Sequence, residues 1–267
     1  GFMQWNPLDS FAGIFDGNMH TISGLYAKED ISTYSYDRGI GFIGTAYGTG
    51  DDPIVIKNVG IIGSYFNSLV SDAGGIIGKV LDNKTDYLIT HIQNSYNAST
   101  VAGYVSYVGG IVGSVDGTLD VDNCYNLGLL LGDTEYDYLV GGIVGKVYYS
   151  AAAYISDSYS AGKIVANRWT PIVAGKVQIG NAIYIKVTNS YYLDSRASQT
   201  PDDTLGKPVT ADQLKNGTVA LLLHDGEKGS LWGQNVGVDD HPVLSGEIKN
   251  ADGVKKSVTF HTIESDT

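Results

Sequence analysis

Three adjacent acidic pairs, Asp51-Asp52, Asp202-Asp203 and Asp239-Asp240, come nearest in type and spacing to an acid/base pair. Glycoside hydrolysis needs two carboxyl groups about 5 to 9.5 Å apart across the sugar. Adjacent acids in turn-rich runs are more often solvated turn formers, and these read that way. The five histidines are His20, His91, His224, His241 and His261. No two of them stand four apart around a glutamate, as a zinc peptidase helix needs. His20 follows the turn signal Asp16-Gly17-Asn18 and reads as a packed turn residue rather than a ligand. The single cysteine, Cys124, fills a slot held elsewhere by Ser95, Ser158 and Ser190. It reads as a small packed residue, and with one cysteine no intrachain disulfide forms. The run "GTGDDP" at 48–53 is acidic enough for Ca2+ but has no spaced ligand set, so no cofactor is expected. No phosphate loop or dinucleotide fingerprint is present; "GYVSYVGG" lacks the strand–loop–helix setting.

Aromatic residues give the remaining chemistry. Tyr96, Tyr125, Tyr159 and Tyr191 recur at one repeat position and are expected to stack in a column. Facing outward, that column forms a strip suited to sugar rings or a protein partner. Strict alternation from the preceding aliphatic residue turns it inward, and a turn at the intervening Asn reverses that. The run "LGDTEYDYLV" at 131–140 adds Tyr136 and Tyr138, and "KEDISTYSYDRG" at 28–39 is similar. Variable loops on a rigid scaffold are where binding residues concentrate.

The elements that position these residues follow from two repeat series. The first is a glycine motif: "GFIG" at 41–44, "GGIIGKV" at 74–80, "GGIVGSV" at 109–115, "GGIVGKV" at 141–147 and a degenerate "IVAGKV" at 172–177. Its last glycines step by 34, 35, 32 and 30 residues. The second is aliphatic-x-Asn: "IKNVGI", "IQNSYN", "VDNCYN", "ISDSYS" and "VTNSYY". Aligned on Asn58, Asn94, Asn123, Asp157 and Asn189, it steps by 36, 29, 34 and 32. Two series with one mean period and independent variation indicate fixed strands joined by variable loops. Short, β-branched, glycine-punctuated units do not make helical repeats; a period of about 32 suits one solenoid coil of three strands and three turns. The recurrent Asn fits a stacked amide ladder. At Asp157 a carboxylate replaces the amide, so another donor or a cation must compensate.

The chain is thus read as all-β: a right-handed parallel β-helix of about five to six coils over 1–192. A small C-terminal α+β cap is assigned to 193–247, and 248–267 to a linker or the start of a following module. Within the cap, 193–208 reads as a loop. Thr210 and Gln213 form a capping box for one or two short helices with Leu214, Leu221 and Leu222 on one face. Residues 230–244 read as a hairpin anchored by Trp232. An open-ended solenoid exposes its last coil, so a cap is required. Neither end of the sequence reads as a terminus of a complete protein, and it is taken as a fragment.

Composition sets outer bounds. With 17 Lys and Arg against 29 Asp and Glu, the net charge is −12, which disfavours nucleic acid and anionic lipid. No apolar run approaches a membrane span.

"FDGNMHTISGLY", followed by "GGIVGSV" and "VDNCYNLG", resembles the GLUG-motif repeats of bacterial cell-surface proteins. The tail "TADQLKNGTVALLLHDG" with "LWGQNVGVDDHPVL" resembles the segment that follows such repeats. That resemblance covers roughly 11–245. It implies export, a multidomain parent, and kinship with adhesin-like proteins and the non-catalytic part of some immunoglobulin A peptidases. The NTD, GxGH and RIK runs of pectinase-like β-helical hydrolases are absent. The expectation is a monomeric, extracellular, non-catalytic binding or adhesion module contacting glycan or a surface protein. The alternatives are an accessory domain of a secreted peptidase or carbohydrate-active enzyme, and a spacer.

Overall fold

The computed structural model describes residues 1–29, 37–48, 53–81, 88–133, 138–148, 151–170, 172, 184–194, 205–224, 231–244, 248–249 and 255–256. The chain winds into a parallel β-helix, as the repeat spacing requires. Its largest sheet has two arms meeting on the long strand Ile54–Ser68. One arm stacks Ile14–Ser23, Ile54–Ser68, Ile89–Gln93, Thr118–Asp122, Ala152–Ser156 and Tyr184–Thr188. The other continues from Ile54–Ser68 to Tyr96–Gly103, Tyr125–Asn126, Tyr159–Ser160, Tyr191–Leu193 and Lys207–Val209. A second sheet stacks Gly39–Ile40, Asp72–Gly74, Val108–Gly109, Leu139–Gly141 and Arg168–Thr170. The third stacks Ile43–Ala46, Ile77–Leu81, Val112–Asp116 and Val144–Val147. The aligned motif positions are register partners: Tyr96 with Tyr125, Tyr125 with Tyr159, Tyr159 with Tyr191, and Val112 with both Ile77 and Val144.

Like residues stacked on like build the interior, a continuous column of Ile, Val, Leu and Phe from Leu25 to Leu205. The corner between the arms falls on the recurrent Asn. Asn58, Asn94, Asn123, Asp157 and Asn189 all adopt the left-handed conformation, with φ of 56, 49, 50, 47 and 42°. Asn and Asp tolerate that region better than other side chains. The amide ladder is present in part. Asn58 Nδ2 donates to Asp16 Oδ1 at 2.9 Å and Asn94 Nδ2 to Asn58 Oδ1 at 3.0 Å. Asn123 turns instead to its neighbour Asp122. Asn189 Nδ2 donates to Asp157 Oδ1 at 2.5 Å, so the amide of the next coil compensates the carboxylate.

Just past the corner runs a ladder of small polar residues. Ser158 Oγ accepts from Cys124 N and Ser190 Oγ from Ser158 N, while each hydroxyl donates to the carbonyl two residues back. Cys124 lies fully buried in that ladder, and burial pushes its thiol well up. Two residues further on, Asn97 and Asn126 point inward and pack on Gly75 and Gly110. A Cβ on Gly110 would lie 2.1 Å from Gly142 O and 2.4 Å from Asn126 Cγ. These motif glycines are therefore required by close approach, not by positive φ.

The C-terminal segment departs from its expected outline in two places. The expected loop at 193–208 returns to the solenoid: Leu205 joins its core, and Lys207–Val209 pairs in parallel with Tyr191–Leu193. The helices Ala211–Lys215 and Thr218–His224 carry the predicted Thr210–Gln213 capping box. However, Gly217, at φ 85°, resets the helical phase between them. Leu214, Val219, Ala220 and Leu223 are buried, while Leu222 faces solvent. Trp232–Gly233 pairs antiparallel with Val243–Leu244, and Trp232 is the buried anchor.

Candidate functional site

The tyrosine column exists, but it is not an open strip. The left-handed corner shifts the alternation, so Ser and Cys point in and the next residue, Tyr, points out. Tyr96 and Tyr125 stack at 4.6 Å and 4° between ring planes, and Tyr125 and Tyr159 at 5.1 Å and 3°. Trp232 then packs against Tyr125 and Tyr159, and Leu214, Val219, Leu223 and Leu244 complete a second apolar cluster. Tyr159 Oη donates to Pro242 O at 2.7 Å and lies 3.0 Å from His241 Nδ1. Burial raises the phenols of Tyr125 and Tyr159 far above their usual range. Tyr125, Tyr159 and Tyr191 thus seat the C-terminal segment, and only Tyr96 is half-exposed.

Among the other singled-out residues, Asp239 accepts the Asn235 N–H in a turn and Asp240 pairs with Lys215 at the surface. Asp51-Asp52, Asp202-Asp203, Tyr136 and His261 lie outside the described residues. His20 is exposed on the first coil, and His91 pairs with Asp120 at 3.0 Å. Among the described residues no three His, Cys, Asp or Glu side chains come together.

Tyr138 belongs to a different place. The turns leading into the second sheet carry Val70, Ser71, Val105, Tyr107 and Tyr138 on successive coils. With Asp72, Lys79, Lys146 and Tyr148 they line a half-open cleft of about 280 Å³. Register puts Lys79, Ser114 and Lys146 in one row across the third sheet. Ser114 is short and fully buried, and Asp72 reaches it from the second sheet. Ser114 Oγ donates to Asp72 Oδ2 at 2.5 Å and Tyr107 N to Asp72 Oδ1 at 3.2 Å. Burial pushes the Asp72 carboxyl above the usual carboxylate range, against the pull of Ser114 and Lys79.

Both ammoniums converge on aromatic rings. Lys146 Nζ lies 3.9 Å from the Tyr107 ring centre and 4.4 Å from that of Tyr148, and donates to Tyr107 Oη at 2.6 Å. Lys79 Nζ lies 5.6 Å from the Tyr148 centre. Lys79 is 2% exposed and Lys146 8%, unusual for lysines and sustained by the cation–π contacts and Asp72. Tyr138 meets Tyr107 edge-on at 5.4 Å.

Glu29 fixes the wall that Val70 and Ser71 supply. Its Oε2 accepts the amides of Leu69, Val70 and Ser71 at 2.7, 2.8 and 3.2 Å, and Ser71 Oγ bonds its Oε1. Burial alone would raise its carboxyl, but these donors outweigh that and hold it below the usual range. Sequence reading missed Lys79, Lys146, Asp72 and Glu29. A signal for the lysines was present: the residue after the last motif glycine reads Thr, Lys, Ser, Lys, Lys across the five copies expected to stack.

No family model matches the chain, and no curated protein matches it. Among solved structures it is similar to a crystal structure of a candidate immunoglobulin A1 protease from Bacteroides ovatus, with a TM-score of 0.57 and 21% identity. The match covers 90% of this chain and 72% of that one. At that identity the likeness shows a shared fold alone.

Proposed function

We propose that this chain is a non-catalytic binding module of a secreted or cell-surface parent, and that its ligand enters the cleft at Tyr138. The observation that carries this reading is the cleft itself: three tyrosines beside two sequestered lysines of the third sheet, contributed by successive coils. Few fixed polar groups in a concave aromatic setting are the usual make-up of a ligand site. Among its lining residues Asp72 is the single carboxylate, where glycosidic hydrolysis uses two. The likeness to the Bacteroides ovatus protein favours an accessory role beside another domain and export of the parent. The cleft is small, on the scale of one sugar unit or one side chain, which favours a glycan end over a broad protein face.

The test is a glycan array and a host-protein panel probed with this chain and its Tyr138→Ala variant. Tyr138 is only half-buried, so its removal spares the fold. Binding by the parent chain that Tyr138→Ala abolishes supports the module reading. Failure to bind anything overturns it and leaves a spacer.

A further inference from the structure

We infer that the cleft recognises a carboxylated sugar, a uronic or sialic acid at a glycan end, with the carboxylate held between Lys79 and Lys146. The inference rests on the binding-module reading above and names its ligand class. Charge is the first argument. The protein carries a net charge of −12, yet two ammoniums and one carboxylate line this cleft. The lining itself thus carries more positive than negative charge, in an acidic molecule and behind low-dielectric walls that focus the field, while the Glu29 carboxylate behind it is engaged by backbone amides and Ser71. Holding lysines away from water costs free energy, and an arriving carboxylate offsets part of that cost with charge-assisted hydrogen bonds.

Geometry is the second. Lys79 and Lys146 approach the same ring, that of Tyr148, from coils two apart in one row, with the short Ser114 between them. The position between them is filled by the buried Ser114 and the Asp72 carboxylate that takes its hydroxyl proton. Two point-charge donors lining one cleft suit a compact carboxylate. The lining points the same way. Val70 and Val105 are its purely aliphatic members; the rest are hydroxyl-bearing or charged. That balance suits a hydroxylated ring laid against tyrosine more than an apolar peptide anchor. The volume, about 280 Å³, lies just under the range for drug-sized ligands and admits one terminal residue of a chain.

The experiment is a calorimetric or NMR titration of the intact chain with glucuronic acid and N-acetylneuraminic acid. Each is compared with its methyl ester, with neutral glucose and galactose, and with a tetrapeptide ending in glutamate. The acid is expected to bind about tenfold tighter than its ester, the scale of one charge-assisted interaction. Lys79→Met and Lys146→Met are each expected to remove that advantage, and added salt to weaken it. Asp72→Asn, which removes the competing carboxylate and keeps an amide oxygen to accept from Tyr107 N while its NH2 can donate to Ser114 Oγ, is expected to tighten acid binding severalfold. A merely structural role for Asp72 predicts no such gain. The acid–ester comparison needs no variant, so it survives if a lysine substitution fails to fold. Equal binding of acid and ester overturns the carboxylate assignment while leaving a Tyr138-dependent module intact. Equal or tighter binding of the peptide overturns the sugar, and no binding by any of these probes overturns the inference outright.

Discussion

Asn94 shows how much one side chain carries at a coil corner. It holds φ at 49° and donates through Nδ2 to Asn58 Oδ1 on the neighbouring coil. Ala at this position meets two costs: the left-handed conformation, about 1–2 kcal/mol, and a lost hydrogen bond, about 1 kcal/mol. Gly meets only the second. Asn94→Ala is therefore expected to lower the denaturation midpoint clearly more than Asn94→Gly, by the equivalent of about 1 kcal/mol. Equal midpoints for the two would show that the corner carries no backbone strain. The recurrence of Asn was legible as a ladder because spacing reveals stacking. The conformation behind it was not, because φ leaves no mark in spacing. Asn123 also departs from the ladder for a reason only neighbours decide: Asp122 offers it a nearer acceptor at 2.8 Å.

At the scale of elements, the glycine series marked the strands of the second and third sheets before their role was known. A recurrent glycine permits either sharp turning or close approach, and the coil stacking selects close approach. Gly110 and Gly63 separate the two effects. Gly110 has no positive φ but no room, since an added methyl would sit 2.1 Å from Gly142 O; Gly63 has φ of 53° and open space. Gly110→Ala is expected to cost about 1–3 kcal/mol through forced displacement of packed backbone. Gly63→Ala should cost about 1–2 kcal/mol, as a purely local conformational penalty. The distinguishing measurement is amide exchange. Gly110→Ala should loosen protection at Val112 and Val144, whereas Gly63→Ala should leave those strands unchanged. Matching protection in both variants would count against close approach as the reason for the motif. The helices were legible in existence and capping but not in facing, since the phase reset at Gly217 depends on a backbone conformation rather than on apolar period.

Across the whole molecule, the tyrosine column acquires its role from residues far along the chain, and repeat logic cannot see such a partner. Tyr159 meets Pro242 and His241, and Trp232 covers both Tyr125 and Tyr159 while its Nε1 donates to Asp157 O at 3.1 Å. That bond ties the C-terminal segment to the corner itself. The apolar cluster it closes is separate from the solenoid interior, so the two should lose structure separately. Trp232→Ala removes the central side chain of the smaller cluster, a change on the scale of about 3–5 kcal/mol for a buried aromatic. The expected result is release of the segment spanning the two helices and the short hairpin, with the coils still folded. Limited proteolysis should cut between 205 and 244, and amides of Ile92, Val121 and Ile155 should stay protected. A hydrophobic dye should now bind, because Tyr125, Tyr159 and Tyr191 become an exposed stacked face. The free edge of Tyr191–Leu193, freed from Lys207–Val209 if that strand follows the segment, should promote self-association that rises with concentration. Loss of protection in the coils together with the segment would instead mean that the two clusters form one cooperative unit.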